Sequence, residues 1–283
     1  MRIFLAGASG AVGRRVVPAL VGSGHEVVGL TRNPASAGKL EVLGAAAVVG
    51  DVYDAAALAH AVAAARPDVV IHQLTDLGAG DRAANAKVRV VGTRNLVDAA
   101  KAAGVRRIVA QSISWAYEPG DAPAAEDTPL DLHGAPDRVA TVGGVSSLET
   151  AVAELPEWVV LRYGTLYGPG TWYAPGALMA RQAFAGTLPA NADVSSFVHV
   201  DDAASAAVAA LDWPTGAVNV CDAEPAAGYE WVPVFCSAVG APEPARVAGE
   251  RTGWARGADN TRARKELGWV PDFVSWRDGF TRL

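Results

Sequence analysis

Seven residues near the start of the chain, Gly7-Ala8-Ser9-Gly10-Ala11-Val12-Gly13, restrict the fold more than any other stretch. The apolar run Ile3–Leu5 leads straight into them, and a helical run over Val12–Gly22 follows. Glycine permits a tight turn and lets a backbone approach a ligand closely. The start of a helix adds free N–H groups and a positive dipole end. A strand, a glycine turn and a helix in that order predict a cradle for a pyrophosphate.

The pattern then repeats. Val27–Leu30, Val48–Val49, Val69–Ile71, Ile108–Ala110 and Val159–Leu161 are short runs apolar on both faces, as expected of parallel strands covered on both sides. Between them lie helical runs at Pro34–Leu43, Ala55–Ala65, Asn85–Ala103 and Val139–Leu155, several closed by glycine (Gly22, Gly44, Gly104). Strand and helix alternating at this spacing predict an α/β fold with a doubly wound parallel sheet. After Leu161 the pattern loosens into a smaller C-terminal α/β lobe. It has a strand near Phe197–Val200, a helix over 202–211, a strand near Val218–Val220, and helices near Tyr229–Val239 and Thr261–Leu267. The expected division is 1–162 for the nucleotide-binding domain, with further elements from about 195–220, and 163–283 for a mainly substrate-binding lobe.

With 51% hydrophobic residues the chain can bury a large core, and a net charge of −6 gives no electrostatic case for nucleic acid or an anionic membrane. No window approaches the ~20 apolar residues that span a bilayer, and the apolar start is too short for a signal peptide. The reading is a cytoplasmic protein, with Cys221 and Cys236 as free buried thiols. The five histidines lack ligand spacing, so no metal site is expected.

Within the cradle, Gly7, Ser9, Gly10, Ala11, Val12 and Gly13 are the expected phosphate contacts. The second strand ends in Thr31-Arg32-Asn33, where enzymes using NAD carry an acid about twenty residues past the glycines. An arginine offers its donor fork to a 2′-phosphate, so NADP is favoured over NAD, with Arg14 as an assistant. Asp51 and Val52 are placed to contact the adenine, and Asp54 suits the cap of the following helix. Leu74 and Thr75 are expected beside the cofactor, while His72 is expected to pack. The short segment 76–84 reads as a trimmed loop.

Further residues give the chain a family likeness: Gly92-Thr93-Arg94-Asn95-Leu96, Leu161-Arg162-Tyr163 leading to Tyr167-Gly168-Pro169-Gly170, Phe197-Val198-His199-Val200-Asp201-Asp202, Glu266-Leu267-Gly268-Trp269 and Ser275-Trp276-Arg277. With the glycine turn, these resemble the extended and atypical short-chain dehydrogenase/reductases of the NAD-dependent epimerase/dehydratase group, over nearly the whole length. The resemblance implies a Rossmann domain for NAD(P), a small-molecule substrate held against the C-terminal lobe and, by analogy, a homodimer paired through helices near 85–103 and 138–154.

The resemblance also implies a serine or threonine with a Tyr-x-x-x-Lys pair. In that pair the tyrosine moves a proton and the lysine holds the nicotinamide ribose. This chain has four lysines, Lys39, Lys87, Lys101 and Lys265, and four positions before them stand Ala35, Ala83, Val97 and Thr261. The pair is absent. Aligned on Ser146-Ser147-Leu148-Glu149, Gly143 takes the tyrosine position and Ser147 the lysine position. Candidates for an unconventional relay are Ser112, Ser114, Tyr117 and Tyr163. Thr165, Tyr167, Trp172 and Tyr173 are the candidate substrate pocket, apolar with a few hydroxyls. His199 and one of Asp201 or Asp202 read as structural, the aspartate as a helix cap.

These features point to an NADP-dependent oxidoreductase acting on a small, partly apolar metabolite. The alternatives are a non-redox dehydratase, isomerase or cyclase of specialised metabolism, and a non-enzymatic NADP sensor.

Overall fold

The computed structural model describes residues 1–77 and 81–283; of the short loop expected over 76–84, residues 78–80 lie outside the described residues. The first half runs β1 (Arg2–Ala6), α1 (Gly13–Gly22), β2 (Glu26–Thr31), α2 (Pro34–Val42), β3 (Ala46–Val49), α3 (Ala55–Ala65), β4 (Val69–His72), α4 (Arg82–Lys87), α5 (Thr93–Ala102), β5 (Arg107–Ile113), α6 (Pro136–Val152) and β6 (Glu157–Tyr163). There follow β7 (Thr165–Tyr167), α7 (Leu178–Phe184), β8 (Val194–Ser195), β9 (Phe197–His199), α8 (Val200–Ala209), β10 (Gly216–Val220), β11 (Ala226–Ala227), α9 (Gly228–Val239) and α10 (Trp276–Phe280).

One sheet of seven strands has the order β10-β6-β5-β4-β1-β2-β3. The pairs β1–β2, β1–β4, β2–β3 and β4–β5 are parallel, with Leu5 opposite both Gly29 and Ile71. The strand order reverses about β1, the topology of a doubly wound Rossmann-type sheet, and that reversal is where such sheets bind ligands.

The chain divides into two compact units. The first comprises Met1–Ser112, Leu132–Leu161 and Ala204–Ala217. In its core Phe4, Val70, Ile108 and Val160 of the sheet pack on Leu58, Val62, Leu96, Val97, Leu148 and Val152 of the covering helices. Burying each such side chain contributes about 1.5–3 kcal/mol, which explains why these strands carry no alternation of polar residues. The single helix expected over Asn85–Ala103 is instead α4 and α5 joined by a wide π-type turn, Val88–Gly92. Thr93 supports that turn by donating its hydroxyl to the Val88 carbonyl at 3.4 Å.

The second unit comprises Ile113–Asp131, Arg162–Ala203 and Val218–Leu283. Its core is aromatic: Tyr167, Tyr173, Phe197, Trp231, Phe235, Trp276 and Phe280. The sequence reading placed no helix at α7 or α10, both short and without a strong apolar period. At the start of α8, Asp202 is buried. Its carboxylate accepts from Asp272 and Phe273 backbone N–H groups at 2.7 and 3.0 Å, tying down the chain before α10. His199 is buried and stacks on Phe273 with centroids 3.8 Å apart. Cys221 and Cys236 are free and buried.

Candidate functional site

The glycine turn is built by steric necessity. Gly7 has φ +88°, and a Cβ on it would stand 2.6 Å from the Gln73 carbonyl carbon and oxygen. A Cβ on Gly13 would stand 2.1 Å from the Gly7 oxygen and 2.8 Å from the Ala8 Cα. These two glycines therefore let the turn fold against β4 and against itself. Gly10 donates to the Gly7 carbonyl at 3.1 Å, and no side chain caps α1 at Val12. The early amides of α1 turn back on the chain, Arg14 N–H to the Gly10 carbonyl at 3.1 Å and Arg15 and Val16 N–H to the Val12 carbonyl at 2.9 and 3.0 Å, so the glycine turn and the start of α1 form one continuous backbone unit. Ser9 is fixed by a 2.9 Å hydrogen bond with Thr31 at the end of β2.

A cleft enclosing about 710 Å³, open solvent included, runs along this turn; its wall brings together Gly7, Ser9, Gly10, Arg32, Val52, Leu74 and Thr75 of the sequence-derived candidates, with Val88 added. Ala11, Val12, Gly13 and Asp51 are not on that wall. Gly13 lies behind the turn, and Asp51 accepts from the Tyr53 N–H at 2.9 Å. Asp54 caps α3 by accepting from Ala57 N–H at 3.0 Å, as its position predicts. Arg32 is half-exposed and reaches Asp76 at 3.1 Å. Leu74 donates to His72 Nδ1 at 3.2 Å, so the His72 hydrogen sits on Nε2 and is donated to Thr93 at 2.8 Å. Burial pushes the His72 pKa down to about 4, keeping the ring neutral. The Leu74 carbonyl accepts from Gln111 at 2.9 Å, which couples the ends of β4 and β5. A glycine turn closed by backbone, at the end of a strand where the sheet order reverses, fits a nicotinamide dinucleotide.

The relay positions in the first unit carry no relay. A Cβ at Gly143 meets nothing within 4 Å, and the Ser147 hydroxyl donates back to the Gly143 carbonyl at 2.9 Å. Ser112, 1% exposed, donates its hydroxyl to Glu149 at 2.7 Å, so that proton is held by a carboxylate. Glu149 and buried Arg89 beside it were not among the sequence candidates. The available signal was the spacing of Arg89, which shares one helical stripe with Asn85, Thr93 and Leu96.

In the second unit, Tyr117 donates to Asn219 at 2.6 Å and accepts from Arg162 at 3.0 Å. Tyr163 donates to the Ala203 carbonyl at 3.2 Å. Ser114 is buried, with its N–H on the Tyr163 carbonyl. Tyr167 and Tyr173 lie in the aromatic core rather than on an accessible wall, and burial raises the pKa of both phenols above the ordinary range. Thr165 pairs opposite Phe197 between β7 and β9, and Trp172 is 36% exposed. Among the described residues no group of three His, Cys, Asp or Glu side chains could hold a metal, and no helix is long and apolar enough to cross a membrane.

Residues 3–221 match the model of the NAD dependent epimerase/dehydratase family. The chain belongs to that family. Among its relatives is the 3-diazoavenalumate denitrifying reductase of a Streptomyces species, 45% identical over all of both chains. The UDP-glucose 4-epimerase of Mycolicibacterium smegmatis is 30% identical over 100% of this chain and 97% of that protein. Among solved structures, WbmG of Bordetella bronchiseptica in complex with NAD superposes with a TM-score of 0.76 and 25% identity, over 99% of this chain and 92% of that one. This member of the epimerase/dehydratase family thus keeps the glycine cradle and lacks the tyrosine–lysine pair.

Proposed function

We propose that the chain is an NADPH-dependent reductase whose acceptor requires no proton from the protein, and that this acceptor is a diazo-bearing carboxylate. One observation carries the reading: Gly143 leaves open space and Ser147 bonds to its own helix, while the hydroxyls of Ser112, Tyr117 and Tyr163 already have acceptors. Reduction of a ketone or imine needs a proton at the oxygen or nitrogen as hydride arrives. A diazonium group does not. When bound, NADPH supplies a hydride that takes the place of N₂ on carbon, with the C–N bond broken and N₂ released. The Streptomyces relative, a 3-diazoavenalumate denitrifying reductase, supports the same chemistry.

In this reading Gly7, Ser9 and Gly10 hold the diphosphate through backbone N–H groups and the Ser9 side of the turn. Arg32 takes the 2′-phosphate, and Val52, Leu74 and Val88 cover the flat apolar faces. Aliphatic side chains there exclude water, which protects a reactive acceptor from hydrolysis.

The test uses purified protein, NADPH deuterated at the transferable hydrogen, and a panel comprising an arenediazonium carboxylate, ketones and enones. The expected result is deuterium on the carbon that lost N₂, one N₂ per NADPH oxidised above the protein-free rate, and no reduction of the ketones. Steady ketone reduction overturns the proton-free reading. NADPH binding with no turnover on any acceptor favours a sensor.

A further inference from the structure

The wide turn Val88–Gly92 carries one charged side chain into the interior of the first unit. Arg89 is 4% exposed, and its Cδ and Cβ lie 3.6 and 3.7 Å from where a Cβ on Gly144 would stand. The absent side chain at Gly144 makes room for it against α6. Its Nε is enclosed and has no hydrogen-bond partner among the described residues. Burial lowers its pKa to about 10 while nearby Glu149 acts to raise it. Glu149 also accepts the Ser112 hydroxyl at the end of β5. A buried cation is costly unless its donors find acceptors, so a ligand hydroxyl that reaches the terminal nitrogens of the fork would be favoured there.

The strand order indicates which ligand. From β2, which ends at Arg32, the sheet steps to β1 with the glycine turn, to β4 with Leu74, and to β5 with Ser112. Neighbouring strands are about 4.8 Å apart, so these three steps cover roughly 14 Å, the reach of a ribose–diphosphate–ribose unit. A dinucleotide with its 2′-phosphate at Arg32 and its diphosphate at Gly10 brings its second ribose to the end of β5. There, α6 has no lysine, and Arg89 is the buried cation that packs against its middle at Gly144. We propose that Arg89, packed against α6 at Gly144, donates its fork to the hydroxyls of the nicotinamide-side ribose and holds that half of the cofactor. This rests on the dinucleotide reading given above.

The test is binding, read by calorimetry and by NADPH fluorescence, which brightens when the nicotinamide half is immobilised. NADPH is compared with adenosine 2′,5′-bisphosphate, which lacks that half. Arg89→Met is expected to weaken NADPH at least tenfold, to abolish its fluorescence gain, and to leave the bisphosphate within twofold of wild type. Equal losses for both ligands would mean that the fold was damaged. In that case Arg89→Lys, which keeps a buried cation and loses the fork, is expected to weaken NADPH several-fold with the bisphosphate retained. Unchanged NADPH affinity and fluorescence in either folded variant overturns the proposal while leaving the cofactor reading intact. Failure of wild type to bind both ligands overturns the cofactor reading itself.

Discussion

Replacing Arg32 with alanine separates the two nicotinamide cofactors, and its effect can be sized from the contacts at the end of β2. A charge-assisted hydrogen bond contributes about 1.5–3 kcal/mol. Arg32 has a side chain 51% exposed, so solvent and salt screen it toward the lower half of that range. It must also leave Asp76, a partly exposed pair worth about 0.2–1 kcal/mol. The balance is about 1–2 kcal/mol, or roughly 5- to 30-fold in affinity. Calorimetry at physiological salt should show Arg32→Ala weakening NADPH by that factor with NADH unchanged. Asp76→Ala should act in the opposite sense: it releases the guanidinium and removes a negative charge near the phosphate, tightening NADPH by up to about fivefold. The reasoning fails if wild type binds NADPH and NADH equally. It also fails if Arg32→Ala weakens both alike, which would make Arg32 a general support of the cleft.

Gly13→Ala should abolish binding of either dinucleotide in the same titration, because its Cβ would meet the Gly7 oxygen at 2.1 Å and spread the cradle. The His72 ring is neutral in the fold down to about pH 4 but charges near 6.5 once unfolded, so the unfolded state binds the extra proton between those values. Stability should therefore fall with pH across that window by about 3 kcal/mol, read by urea unfolding at pH 7 and pH 4.5, and His72→Gln should flatten the slope. Gly143→Tyr should fold at least as well as wild type, since its Cβ enters open space and a mid-helix glycine costs about 0.5–1 kcal/mol. A fall in melting temperature of several degrees would show that the space is needed.

The nucleotide cradle was legible because its constraints are local. Strand, glycine turn and helix follow one another within some twenty residues, and Asp54 caps the helix that begins at the next residue. The parallel strands were equally plain, since burial on both faces leaves an uninterrupted apolar run. Tyr117, Tyr163, Tyr167 and Tyr173 were not legible in the same way. A phenol reads alike whether it faces a pocket or fills a core, and the deciding partners, such as Asn219 and Ala203, lie 102 and 40 residues away. Asp202 shows the same limit, because its carboxylate also accepts from a segment seventy residues on. Arg89 was harder to read because a charged side chain is ordinarily assigned to solvent, although its spacing from Asn85, Thr93 and Leu96 puts it on the buried stripe.

Asn219 has a consequence for how the polypeptide is made. Its amide donates to the carbonyls of Ala124 and Asp259, its oxygen takes the Tyr117 hydroxyl, and its backbone N–H reaches Glu126, while Arg162 holds the other side of Tyr117. Residues from all three separated stretches of the second unit meet at this one knot. A ribosome makes the first stretch some ninety residues before its partner Asn219 exists, and later still before Asp259. The side-chain and backbone groups of 113–131 that meet Asn219 must wait through that interval before the second unit can close. A chain stalled before Asn219 is therefore expected to carry a folded sheet beginning beside an unfolded lobe, the species on which proteases and chaperones would act.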